Sequence, residues 1–326
     1  MDNHHLNRRQ FITRGAKAGA SILAACSVSY WLYDRTGPRP LSEDTTAVQI
    51  PDFSMPELGQ RMSIVEGGNR SETLELALKS IGGIEAFIKK GDRVLLKVNA
   101  AFASPPILSA TTHPDMVAAI TRWCLKAGAA SVTVTDNPIN DPASCFRLTG
   151  IEQAARSAGA NVLLPQKEFF KPFTLPEAQL IRSWPVLYEP LNRINKVIGT
   201  APVKDHHRSG ASMIMKNWYG LLGGRRNIFH QDIHTIIKEL AMMIKPTLVI
   251  LDGTITMMRN GPTGGSLSDL KETHAMIVST DQVAADAFGA TLLDKTADEL
   301  AFIKKAEAMR LGTADFQALN PVMGSI

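Results

Sequence analysis

The chain has 326 residues, of which 44% are hydrophobic, 20% charged and 6% aromatic, and 35 Lys and Arg against 31 Asp and Glu leave a net charge of +4. That is the profile of a globular protein, and the basic excess is too small and too dispersed, with no basic run carrying interleaved aromatics, to point to nucleic acid. Three cysteines, Cys26, Cys124 and Cys145, exclude a disulfide framework and cannot supply the four thiolates of an iron-sulfur cluster held by one chain.

Residues 1–33 read as targeting and not as fold. Asn7-Arg8-Arg9-Gln10-Phe11-Ile12-Thr13 precedes an uncharged, largely apolar run from Ala18 to Leu32, and adjacent arginines followed by Phe and Ile resemble a twin-arginine signal. This implies recognition by the twin-arginine translocation machinery and a periplasmic or membrane-anchored product. Leu23-Ala24-Ala25-Cys26 resembles a lipoprotein site with Cys26 as the acylated residue. The apolar run is shorter than the roughly 18 to 20 residues of a comfortable membrane span, so cleaved, lipid-anchored and tethered forms are all open. Residues 34–71, with Pro38, Pro40, Pro51 and Pro56, read as a linker and N-terminal extension.

From residue 72 to 326 strand-like and helical runs alternate. Arg93 to Val98 reads as a buried strand, and Pro114 to Ala127 as a helix with Val117, Ile120, Cys124 and Ala127 on one face and Pro114 in its first turn. Ser131 to Thr135 is a second strand, a helix over Gly150 to Ala158 leads to Val162-Leu163-Leu164, and Lys196 to Thr200 is a fourth strand. A helix from Gln231 to Ile244 precedes the strongest strand, Leu248 to Leu251; Ala275 to Ser279 follows, then helices over 281–294 and 297–310. The alternation predicts an α/β fold, a mostly parallel sheet with helices on both faces and a sub-domain inserted around 165–225, whose sites lie at the carboxyl ends of the strands.

Dinucleotide and phosphate glycine motifs, H-E-x-x-H, an EF-hand loop and G-x-S-x-G are all absent. Polar clusters instead follow the strands or open the helices. They are Lys97 and Asn99, Thr111-Thr112-His113-Pro114, Asp136-Asn137-Pro138, Lys204-Asp205-His206-His207, Met215-Lys216-Asn217-Trp218-Tyr219-Gly220, Asp252-Gly253 and Asn260-Gly261-Pro262-Thr263-Gly264-Gly265. This ordered set, with Asp281 and Asp286 after it, resembles the domain of unknown function 362 family over roughly residues 93–310. The resemblance implies no general activity; many members carry twin-arginine signals, and the ferredoxin cysteines of some are missing here.

The chain also resembles, more distantly, lactate racemase. That family holds a nickel-bearing nucleotide cofactor through a lysine, with a catalytic histidine before it, a metal-binding histidine after it and a further catalytic histidine upstream. His206, Lys216 and His230 stand in that order, with His113 upstream. The resemblance implies Lys216 as the attachment point, His230 on the metal, and His113 and His206 exchanging a substrate proton. Lys216 lacks the small-residue pair that precedes the family's lysine.

Each residue also has a plain structural reading. His113 opens a helix and can serve as a cap. His206 and His207 are adjacent, so an extended strand turns at most one toward a site, and His206 is the choice. Lys216 among Ile214, Met215, Trp218 and Tyr219 needs an anion if buried. Arg225 and Arg226 beside glycines suit an anion or an exposed turn alike, Asn260 to Gly265 a phosphate cradle or a hairpin, and Asp281 and Asp286 look structural. The candidate set is therefore His113, His206 and Lys216 for chemistry, Lys97, Asn99, Asp136, Asn217 and Asp252 for ligand or cofactor binding, and His230 for metal. Together they predict an exported protein acting on a small anionic ligand, by racemase-like proton or hydride transfer or as a non-catalytic periplasmic binding protein.

Overall fold

The structure, a computed structural model, describes residues 8–32 and 48–326. The prolines at 38 and 40 lie outside the described residues. Taken by itself, the described part of the amino-terminal unit is one helix, α1 (Arg8–Leu32), which includes the two adjacent arginines and the exposed Cys26. The hydroxyls of Thr13, Ser21 and Ser27 each donate to the carbonyl four residues back, which suits polar side chains inside a helix. Among the described residues, no helix is long and apolar enough to cross a membrane.

The second unit begins with β1 (Met62–Glu66), α2 (Arg70–Ser80) and the short α3 (Ile84–Phe87), then β2 (Arg93–Lys97), α4 (Pro114–Lys126) and β3 (Ser131–Thr135). Helices α5 (Pro142–Leu148) and α6 (Ile151–Ser157) lead to β4 (Asn161–Val162), and a separate two-stranded antiparallel sheet is formed by β5 (Phe170–Phe173) and β6 (Trp184–Leu187). The chain returns to the main sheet in β7 (Lys196–His206) and β8 (Gly210–Ser212), followed by α7 (Ile214–Asn217), α8 (Ile233–Met243) and β9 (Leu248–Met257). It closes with β10 (Leu270–Ser279), α9 (Gln282–Leu292), α10 (Ala301–Ala308) and β11 (Val322–Ser325).

The main sheet runs β11-β1-β10-β9-β7-β2-β3-β4, with β8 added on β7. Strands β9, β7, β2, β3 and β4 are parallel neighbours, whereas β10 is antiparallel to both β9 and β1. The fold is thus α/β with a mostly parallel sheet. One face is covered by α8 to α10 through Ile236, Leu240, Ala287 and Phe302, and the other by α2, α4 and α6 through Leu74, Val117, Ile120 and Ala155. In α4 the buried Val117, Ile120 and Cys124 recur at helical spacing, and His113 caps the helix just before Pro114.

Three readings of the sequence need correction. The span 34–71 holds more than a linker and extension: β1 lies inside it and pairs through five residues with β10, its Ile64 and Val65 buried. A five-residue strand beside a Pro-rich stretch is too short for its period to stand out. The span 165–225 is not one insertion, because β7, β8 and α7 belong to the main sheet and its edge and only the β5 and β6 region stands off it. The buried Glu239 carboxylate ties that region to α8 by accepting from the backbone N–H groups of Gln179, Leu180 and Ile181. Finally, β7 and β9 run well past Thr200 and Leu251: Pro202 and Gly253 look like strand ends, yet Pro202 pairs with Asp252 and the ladder resumes at Lys204 after a shift in register.

Candidate functional site

Parallel strands place their carboxyl ends on one edge of the sheet, and the polar clusters after β2, β3 and β7 meet there. Lys97, the last residue of β2, is fully buried. Its Nζ lies 2.8 Å from Asp136 Oδ1 and donates to the carbonyl of Val98 and to Asn217 Oδ1. Burial lowers the Lys97 pKa and Asp136 opposes that shift. Asp136 in turn accepts from the backbone N–H groups of Ala100 and Asn137, so both of its oxygens are engaged.

Asn99 and Asn217 extend the network. Asn99 Nδ2 donates to Asn217 Oδ1, and Asn217 Nδ2 donates to the carbonyl of Thr200 in β7. Asn217 is carried on α7, whose first two N–H groups, those of Ile214 and Met215, donate to the buried Asp286 carboxylate. Gly220 follows closely, and a β-carbon there would lie 1.8 Å from Asp136 Oδ1, so only glycine lets the chain pass.

Over this floor opens a cavity of about 540 Å³, lined by Asn99, Asp136, Lys204, His206, Lys216, Asn217, Tyr219, Arg226 and His230, with an outer wall of Ala101, Phe102, Ile139 and Pro262. Lys204 is buried, donates to the carbonyl of Ala110 at 2.5 Å, and has its pKa pushed down to about 7 by burial and by Lys216. Lys216 Nζ stands 5.3 Å from the Tyr219 ring centroid, and its pKa is held near about 8 by burial and by Arg226. No carboxylate lies within ion-pair reach of either lysine among the described residues. Arg226 brings charge but no free fork: its terminal nitrogens donate to the carbonyls of Tyr219, Leu222, Asn137 and Pro138.

Two histidines face this charge with their tautomers set by neighbours. His206 Nδ1 accepts from the backbone N–H groups of Arg208 and Ser209, both at 3.2 Å, so its proton resides on Nε2. Its pKa is driven far down by burial and by Lys216, which keeps the ring neutral. Tyr219 donates its hydroxyl proton to the carbonyl of Arg226, so His230 Nδ1, 3.2 Å from both the Tyr219 oxygen and the carbonyl of Asn227, must be the donor in those contacts. The Nε2 of His230 is left with a lone pair. Burial and Lys216 lower the His230 pKa as well.

Of the residues singled out in the sequence, Asn99, Asp136, His206, Lys216, Asn217 and His230 line the cavity and Lys97 lies beneath it. His113 and Asp252 do not. His113 Nδ1 accepts from the N–H of Asp115 as the cap of α4, and Asp252 pairs with Arg70 at 2.9 Å. These two residues feel each other and Arg70: the His113 pKa is lowered first by burial and then by Arg70, with Asp252 opposing. His207 is exposed but stacks on His206 at 4.9 Å between ring centroids, at the rim. Arg225 is exposed and Arg226 turns inward.

Lys204, Tyr219 and Arg226 were not in the candidate set. Lys204 had a readable signal, since it stands two residues before His206 on an extended strand and so shares its face. Tyr219 and Arg226 stand in clusters that the sequence marks, but which side chain faces the cavity had no signal, because a 3-10 turn with no fixed period carries each there.

The nickel-bearing nucleotide implied by the resemblance to lactate racemase would use Lys216 for attachment, His230 on the metal, and two more histidines toward the substrate. The cavity supplies Lys216, His230 and His206, but His113 is engaged elsewhere, so the full set does not fit. Among the described residues no three His, Cys, Asp or Glu side chains are grouped to hold a metal ion.

Two solved structures are similar to the chain at 12% identity. Lactate racemase apoprotein from Thermoanaerobacterium thermosaccharolyticum matches over 81% of this chain and 62% of its own, with a TM-score of 0.38. A Thermotoga maritima protein matches over 75% and 60%, with a TM-score of 0.36. The chain thus spans less than two thirds of either. A thylakoid-associated protein of Synechocystis sp. is 27% identical over 239 residues, 69% of this chain and 70% of that protein. The family model described as "Domain of unknown function (DUF362)" matches residues 94–291, from the second residue of β2 almost to the end of α9; the chain belongs to that family.

Proposed function

We propose that the protein is an enzyme that binds a small anionic molecule between Lys204, Lys216 and Arg226 and exchanges a proton on it, with His230 Nε2 taking and returning the proton and the neutral His206 Nε2–H donating a hydrogen bond to the charge that develops. The observation that carries this reading is the charge imbalance. Three cations line the cavity, and its one carboxylate, Asp136, is already held by Lys97. Lys204 is buried and Lys216 and Arg226 are half-buried; cations withdrawn from water without counter-charges are costly, and an anion supplies what the chain does not. Opposite tautomers then provide a proton acceptor and a hydrogen-bond donor, both on neutral rings at the start of the reaction.

In this reading Lys204 and Lys216 orient the anionic group, Arg226 fixes the 137–138 and 219–222 turns while adding charge, and Asn217 holds the floor in place. The test is solvent exchange: a panel of small hydroxy- and oxo-carboxylates is incubated with the protein in deuterated water and followed by NMR. Deuterium entering a ligand with the wild type, and not with His230→Gln, is the expected result. Saturable, Lys216-dependent binding without exchange would leave a non-catalytic binding protein, and binding unaffected by Lys216→Ala would overturn the anion site itself.

We further propose export by the twin-arginine route, on the strength of the Arg8-Arg9 pair and the apolar run after it. The name of the Synechocystis relative supports a membrane-associated setting, through Cys26 acylation or retention of the segment. Fusing residues 1–47 to a reporter that works only after folded export tests this; a reporter that is exported equally well with Arg8→Lys and Arg9→Lys combined rejects the route.

A further inference from the structure

The cavity has two chemically distinct ends. Inside stand Lys204, Lys216, His206 and His230; the outer wall is Ala101, Phe102, Ile139 and Pro262. That wall is built, not incidental. Phe102, Ala110 and Met257 form an apolar cluster separate from the two cores that flank the sheet, and Ile139 is tied to it by its N–H donating to the carbonyl of Ala101 at 2.9 Å. Ile139 nonetheless stays 66% exposed, a large aliphatic side chain left facing the opening.

The same edge of the sheet carries more exposed aliphatics. Ile107 follows β2 and Leu267 follows β9, with exposures of 63% and 57%. Because β9, β7, β2 and β3 are parallel, the connections leaving them share the edge on which the cavity opens. Scattered single exposed aliphatics need no explanation, but several on separate connections at one edge of the sheet do. Size points the same way: about 540 Å³ is the range of sites that enclose drug-sized ligands, several times what a three-carbon acid fills.

The geometry points to an amphiphilic ligand: an anionic head held by Lys204 and Lys216, with an aliphatic body lying along Phe102, Ile139 and Pro262 toward the sheet edge that carries Ile107 and Leu267. This names the substrate class of the site and rests on the anion-binding reading above. The head loses its water to the lysines while the body removes from water the apolar surface that the wall now exposes.

The experiment is calorimetric titration of the full chain with straight-chain carboxylates from butanoate to decanoate, each below its micellar concentration. Affinity is expected to rise about threefold to fourfold per methylene, the free energy of burying one CH₂, until the wall is covered. Lys216→Ala is expected to weaken the whole series, and Ile139→Ser, at an exposed position, to flatten the rise with chain length while butanoate binding persists. A flat series that still depends on Lys216 overturns the amphiphile and leaves the anion site standing. A rise with chain length that ignores Ile139→Ser places apolar binding elsewhere and also overturns it. A series indifferent to Lys216→Ala overturns the anion reading beneath it.

Discussion

The rings of His206 and His230 stand 6.0 Å apart, centroid to centroid, and 23° from parallel, yet their hydrogen bonds fix opposite tautomers. In His206 two backbone N–H groups point at Nδ1; in His230 the same atom donates to two oxygens. Nitrogen-15 NMR of the imidazoles is expected to show the proton on Nε2 in His206 and on Nδ1 in His230 near pH 7.5. Tyr219→Phe removes one of the two oxygens that hold His230, so the Nδ1–H form should lose population in that variant alone. Matching tautomers in the wild type would remove the assignment of base and hydrogen-bond donor.

Anion binding should draw protons from solvent. Lys204 and Lys216 titrate at about 7 and about 8 in the free protein, both held down chiefly by burial, and a bound anion favours their charged forms. Titration with phosphate at pH 8 in two buffers of different ionisation heat is therefore expected to show net proton uptake. Uptake should shrink at pH 6, where both lysines are already charged, and should fall in Lys204→Met. Affinity itself should weaken as pH rises through 7 to 8 and beyond.

Stability should respond to pH in the opposite sense. With a folded pKa of about 7 against an ordinary 10.5, Lys204 gives up its proton in the folded chain before the unfolded one does. Between those values the unfolded state binds more protons, so stability rises as pH rises across that window. Across the whole window the contribution is on the order of 5 kcal/mol. Urea unfolding at pH 6.5 and 9.5 is expected to show a smaller gain in Lys204→Met than in the wild type; an equal gain assigns the dependence to other groups.

The Lys97 and Asp136 pair makes a stability prediction that does not depend on function. Both are buried, and Asp136→Asn leaves the Lys97 charge without its partner, a loss of about 3 to 5 kcal/mol. Lys97→Met with Asp136→Asn should recover much of it, since no charge is then stranded. Chemical denaturation of the two single variants and the double variant checks the coupling, and strict additivity would show that the pair is not energetically linked.

Much of the body was readable because parallel strands and amphipathic helices have short periods: α4, α8 and β9 begin within two residues of where the pattern puts them. What a period cannot give is the far partner. Asp252 looked like the residue that closes a strand, but β9 continues to Met257 and turns Asp252 to Arg70. His113 was correctly seen at a helix start, and its capping bond is what that position calls for. Lys97, Asn99 and Asp136 come together as residues at the ends of adjacent parallel strands do, and α7 brings Asn217 to them. Arg226 turned inward because four carbonyls far apart in sequence gather around it, which no local pattern announces.

The pairing of β1 with β10 reaches beyond the family match. The matched stretch begins at residue 94, yet β10 meets along one side the strand at Met62–Glu66, and that strand holds β11 from the other end of the chain. A fragment trimmed to 94–291 would keep the cavity residues and strip the sheet of both, leaving Ala275 to Ser279 as a bare apolar border ready to pair with a neighbouring molecule. The stretch that the family model matches and the stretch that completes the sheet are therefore different lengths of chain.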